Sequence, residues 1–114
     1  IPMDEADWQA VVVGMGDVVH SPRGTAAGIA RDIAYQIAGK TGTTQVVSIA
    51  QDAIYDEDAI SERNRNHGLF IAYAPVENPR IAVAVIAENG GGSRAASPVA
   101  LRIMDAWLNE ASDV

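Results

Sequence analysis

Cysteine is absent from the 114 residues, which excludes disulfides, thiolate nucleophiles and cysteine-based zinc sites without fixing the compartment, since many exported proteins also lack disulfides. Positive charge is scarce. Eight basic residues stand against fifteen acidic ones for a formal net charge of −7, so there is no broad electrostatic footprint for phosphate backbones, and nucleic acid is not an expected partner. No apolar run approaches the roughly 18 to 20 residues of a membrane span. The opening Ile1-Pro2-Met3-Asp4 has neither the basic nor the apolar region of a secretory signal. Any targeting segment is therefore expected outside this stretch, and Ile1 in place of an initiator methionine suggests a segment of a longer protein.

What is present is enough to fold. Hydrophobic residues make up 48% and charged residues 20% of the chain, too apolar for a disordered tail and sufficient for one small domain or part of a larger one. Asp4 is placed to cap a helix, Glu5 and Asp7 put acid in its first turn, and Trp8, Val11, Val12, Met15, Val18 and Val19 recur at helical spacing, so residues 5–20 read as an amphipathic helix. Ser21-Pro22-Arg23-Gly24 ends it, and Thr25 is expected to cap a short helix running to Arg31. Residues 35–50, with many β-branched residues and no proline, read as a strand with Gly39 and Gly42 embedded, where glycine often marks a bulge or the close approach of a ligand. The charged stretch from Gln51 to Asn66 reads as a loop.

Leu69 to Val76 and Arg80 to Glu88, joined through Glu77-Asn78-Pro79, form an antiparallel hairpin with apolar residues on both faces, which predicts helical cover on both sides. After Asn89-Gly90-Gly91-Gly92-Ser93, Ser97-Pro98 opens a helix from Val99 to Asn109 with Ile103, Ala106 and Trp107 in its buried stripe. Trp8 and Trp107 are expected in the core where the two helices meet. The fold class is α+β within the broad α/β group, an antiparallel sheet covered by helices. Three strands are thin for an independent enzyme, so a larger domain is implied.

Lys40 is the single lysine, set between Gly39 and Thr41-Gly42-Thr43. An edge-strand lysine can serve simply to discourage edge-to-edge pairing. The functional reading is a clamp for a carboxylate or oxyanion, built from an ammonium, two hydroxyls and the exposed N–H groups of a glycine-flanked strand. A phosphate-binding loop is disfavoured, because Ala34 stands where its pattern needs the first glycine and the context is a strand rather than a loop opening a helix. His20 reads as a C-terminal helix cap and His67 as a fixture for the end of the long loop. Asp56, Glu57 and Asp58 lack the ligand spacing of a calcium loop, and no metal is expected.

Lys-Thr-Gly is one of three signatures of the penicillin-interacting serine enzymes, beside Ser-x-x-Lys and Ser-x-Asn or Ser-Asp-Asn. Through Gly14-Met15, Val18-Val19, Gly24-Thr25-Ala26 and Ala38 to Gln45, the chain resembles the C-terminal portion of class B penicillin-binding proteins over nearly its whole length. His67, Phe70 to Pro75, Asn78-Pro79, Ala82 to Val85 and Glu88-Asn89-Gly90-Gly91 make it similar to the elongation-specific branch of Gram-negative rod-shaped bacteria.

The resemblance implies that residues 1–114 are the C-terminal segment of a transpeptidase domain, with Lys40, Thr41 and Gly42 as the third motif. It implies that Lys40 supports the proton network and that Thr41 and Thr43 bind the terminal carboxylate of a D-Ala-D-Ala stem peptide or a β-lactam. The Thr43 N–H would be an oxyanion donor, making Lys40 and Thr43 the catalytic candidates. Thr44 and Gln45 continue the same substrate-binding edge. It further implies the periplasmic face of the inner membrane, an anchor in an N-terminal segment of the same enzyme, association with elongation-complex membrane proteins, and no cofactor.

One departure is decisive for the isolated chain. Ile37 stands three residues before the only lysine, so Ser-x-x-Lys is absent, as is Ser-x-Asn. Acyl transfer needs an activated nucleophile as well as an oxyanion hole, and this segment alone is expected to be inert. A non-catalytic β-lactam-sensing or cell-wall-binding module that keeps only the clamp is the competing expectation.

Overall fold

The computed structural model describes residues 1–46 and 62–112. Helix α1 spans Glu5–His20, strand β1 Ala38–Thr44, β2 His67–Ala74, β3 Ile81–Ala87, and helix α2 Ser97–Ser112, with short 3-10 turns at Glu62–Asn64 and Ser93–Ala95. The sheet is antiparallel in the order β1-β2-β3.

Helix α1 has the bounds its sequence signals predict. Asp4 adopts the extended N-cap conformation without a side-chain cap bond, and the Ser21 N–H closes the last turn on the Asp17 carbonyl. The short helix expected over 25–31 does not form. Residues 25–32 are successive turns, and Gly28 takes φ 90°, a left-handed conformation that interrupts helix propagation. The strand expected over 35–50 is shorter, with regular pairing confined to Ala38–Thr44. Residues 47–50 and the acidic run at Asp56, Glu57 and Asp58 lie outside the described residues.

Alternation along the strands separates two faces. One carries Gly39, Thr41 and Thr43 opposite Ala72, Phe70 and Gly68, and the other carries Lys40 and Gly42 opposite Ile71 and Leu69. The first face is the core. Phe70, Ala72 and Ala74 pack there with Val19, Ala26, Ala30 and Ile37 and with Ala100, Met104 and Leu108 of α2. The second face is largely open, Ile71 being 51% and Ile86 65% exposed. Met15 of α1 joins Ile71, Tyr73, Ala82 and Ala84 around an apolar groove of about 370 Å³. Helical cover on both sides is thus corrected to one covered face among the described residues.

The buried stripe of α2 also differs from expectation. Ala100, Met104 and Leu108 are buried, while Ile103 and Trp107 are 47% and 44% exposed. Phe70 of the sheet and the small Ala100 of the helix belong to the same buried cluster. Neither tryptophan is in the core. Trp8 is 48% exposed, and Trp107 lies under the Arg80 guanidinium, 5.6 Å from its ring centroid. Tyr35 joins the approach to β1 to α2, its hydroxyl donating to Asp105 Oδ1 at 3.1 Å. Burial first, and the Asp105 carboxylate second, push the Tyr35 phenol up to about 12.

Candidate active site on the Lys-Thr-Gly strand

β1 is an edge strand of the three-stranded sheet, and its first residues are locked by packing. Ala38 and Gly39 are buried. A Cβ on Gly39 would come within 2.7 Å of Phe70 Cζ, so this glycine makes room for the core ring. The expectation that a strand glycine marks a close approach is met here by a side chain of the same fold. Gly42 is tight as well, a Cβ there meeting Leu69 Cβ at 3.3 Å.

The start of β1 is pinned by His20, whose Nε2 accepts the Ile37 N–H at 2.9 Å. His20 therefore ties α1 to the site strand instead of capping the helix carbonyls. An accepting Nε2 is unprotonated in this arrangement.

Beyond Gly39 the strand turns outward. Lys40 is exposed, and its ammonium donates to the Thr41 carbonyl at 2.6 Å, which folds the charge back against its own strand. Thr41 and Gly42 are half-buried, while Thr43, Thr44 and Gln45 are exposed. The faces divide the candidates. Thr41 and Thr43 share the face of Phe70, and Lys40 stands on the opposite face in register with Ile71. An ammonium and two hydroxyls therefore flank β1 from its two sides instead of projecting together from one.

Two neighbouring segments hold the hydroxyl-bearing side, and the sequence reading placed neither of them at the site. Thr25 Oγ1 lies 2.8 Å from Thr41 Oγ1. At the far end, the turn after β3 lies beside Thr43, whose Oγ1 is 3.9 Å from where a Cβ on Gly92 would stand. Gly68, paired with Thr43, has to lack a side chain because a Cβ there would collide with the Gly92 carbonyl.

Asn89, in a left-handed conformation at φ 54°, fastens this turn. Its side-chain amide donates to the carbonyls of Arg63 at 2.9 Å and Arg65 at 3.0 Å, and its N–H donates to His67 Nδ1 at 2.9 Å. His67 thus fixes the end of the loop to the turn beyond β3. The signals were present in Gly24-Thr25-Ala26 and Glu88-Asn89-Gly90-Gly91, but nothing local says that these segments meet β1. Among the described residues no cluster of metal-ligating side chains occurs, and no helix is long and apolar enough to cross a membrane.

Residues 1–105 match the family model described as the penicillin-binding protein transpeptidase domain. The peptidoglycan D,D-transpeptidase MrdA of Acinetobacter baumannii is 50% identical over 104 residues, covering 91% of this chain and 15% of that protein. The Haemophilus influenzae enzyme of the same name is 42% identical over 106 residues, covering 92% and 16%. Among solved structures, Pseudomonas aeruginosa PBP2 in complex with WCK 5153 superposes with a TM-score of 0.75 at 43% identity, over 95% of this chain and 21% of that one. Helicobacter pylori PBP2 in complex with MreC gives a TM-score of 0.76 at 28% identity, over 99% and 19%. The chain spans less than a fifth of the length of these curated relatives.

Proposed function

The chain belongs to the penicillin-binding protein transpeptidase domain family, and on that premise we propose that residues 1–114 are the C-terminal segment of a serine-type peptidoglycan D,D-transpeptidase of cell elongation. The observation that carries this reading is an edge strand presenting Lys40, Thr41 and Thr43 beyond a buried Ala38-Gly39 root, in a chain half identical to a named transpeptidase. The chemistry is acyl transfer. A serine hydroxyl supplied by an N-terminal segment of the same enzyme attacks the carbonyl of the penultimate D-alanine, an Oγ–C bond forms, and the terminal D-alanine leaves with a proton on its amine. An acceptor amine then attacks the ester, the new amide forms, and the serine recovers its proton. A β-lactam follows the first half and stalls as the acyl-enzyme. No redox or cofactor step enters this sequence.

The roles we assign to the segment are those the family resemblance implies. Lys40 contributes positive potential and a proton-network partner at the site, Thr41 and Thr43 donate to the terminal carboxylate, and the Thr43 N–H receives the developing oxyanion. Thr44 and Gln45 continue the substrate edge beyond Gly42. Packing of Gly39 against Phe70 anchors the root of that strand and pairing with β2 continues to Thr44, which supports the preorganisation an oxyanion site requires.

The elongation-complex assignment draws on the Helicobacter pylori PBP2 structure being a complex with MreC; a membrane-anchored enzyme facing the periplasm is the corresponding location. The test is Lys40→Ala in the full-length protein, followed by fluorescent-penicillin labelling. Acylation is expected to fall by about 10²-fold or more, the range of a lost proton-transfer group, and labelling at the wild-type rate would remove Lys40 from the site.

A further inference from the structure

Thr25 sits sixteen positions before Thr41, yet the two hydroxyl oxygens are 2.8 Å apart. The placement is built into the backbone on both sides of Thr25. A Cβ on Gly24 would collide with the carbonyl oxygens of Asp17 and Val18, so residue 24 lies flush against the last turn of α1. The Ala26 N–H donates to the Val18 carbonyl at 2.9 Å, and the Ala26 side chain is 4% exposed in the core. Between these anchors the exposed Thr25 side chain is aimed at the site strand.

We propose that Thr25 is a positioning residue for the Thr41 hydroxyl, donating its proton to Thr41 Oγ1 so that Thr41 is left to donate its own to a carboxylate lying along β1. The proposal rests on the reading of β1 as a carboxylate-binding strand. Either hydroxyl satisfies the 2.8 Å contact as donor. An anion removes the choice, because only a Thr41 that gives its proton to the anion is useful, and its lone pair is then the acceptor for Thr25. A hydroxyl that accepts one hydrogen bond is polarised into a better donor for the next. The contact also restricts Thr41 χ1, which otherwise must be ordered when ligand binds.

The experiment uses the full-length protein with Thr25→Val, which removes the hydroxyl at nearly constant shape, and Thr25→Ser, which keeps it. Second-order acylation by a penicillin and by the same penicillin with its carboxylate esterified are both measured on the folded fraction. Thr25→Val is expected to slow acylation by the acid about 3- to 10-fold, the range of one hydrogen bond. Thr25→Ser is expected to stay within about twofold, and the ester to show no difference between wild type and Thr25→Val. Thr25→Val is further expected to add nothing in a Thr41→Val background, the signature of a coupled pair.

A purely structural role would alter thermal stability or the folded fraction and leave the acid-to-ester ratio untouched, which overturns the proposal, as does wild-type acylation by Thr25→Val. Thr25→Ala gives the same readout should the valine disturb the turn. Failure of the wild-type protein to acquire any adduct is read without a variant; it overturns the underlying reading and this proposal with it.

Discussion

The two halves of β1 are made of similar small residues and serve opposite ends. Ala38 and Gly39 are buried and answer to the core, whereas Lys40, Thr43 and Thr44 are exposed and answer to nothing inside the fold. Gly39 is a glycine because Phe70 occupies the space a side chain would need. Further along, pairing with β2 continues to Thr44, and Thr25 and the Asn89-fastened turn flank the hydroxyl-bearing face. A site strand of this kind is rigid where it is apolar and available where it is polar, and the change happens within a single residue, between Gly39 and Lys40.

Substitutions on the two halves should separate stability from activity. Phe70→Ala, at the one fully buried ring among the described residues, should cost about 3–5 kcal/mol, read as a large fall in the unfolding midpoint of the full-length protein with acylation lost alongside. Lys40→Ala should do the reverse, changing stability by no more than about 0.5 kcal/mol while acylation fails. A variant at Lys40 that unfolds the protein would erase the distinction between the halves. Gly39→Ala should destabilise by about 1–3 kcal/mol, because the ring and the Ile71 carbonyl must shift to admit a methyl group.

The smallest effect concerns the root of the strand. The Tyr35 phenol, bonded to Asp105, is pushed from its ordinary value of 10.0 up to about 12. Between those values the folded state holds a proton that the unfolded state has released. The contribution of this pair is therefore complete below pH 10 and is lost as pH rises toward 12. Tyr35→Phe should flatten that part of the stability profile, measured by denaturant titration across the same pH range, and an unchanged slope would show that the pair is not coupled to folding.

Much of the fold was legible where local chemistry and packing agreed. Helix α1 begins after Asp4 and ends at His20, its ends marked in the sequence by acid in the first turn and by the Ser21-Pro22 break. The hairpin followed from β-branched alternation around Asn78-Pro79. The misreadings share a cause, which is that partners distant in sequence decide burial. Trp107 and Ile103 look like core residues on a helical wheel, but it is Ala100, Met104 and Leu108 that join Phe70 of the sheet in the buried cluster. Alanine-rich residues 25–31 favour a helix locally, and Gly28 with its positive φ breaks it. At the site, Lys40-Thr41-Gly42 was readable as a motif, whereas the Thr25 contact and the Asn89 clasp exist only once α1 has packed against β1 and β3 has paired with β2.

The most direct measurement is peptide mapping of the penicillin adduct on the full-length protein, wild type and Lys40→Ala in parallel. The account predicts one acyl group on a serine outside residues 1–114 in the wild type and almost none in the variant. An adduct inside this segment, or one that forms equally well without Lys40, would contradict it.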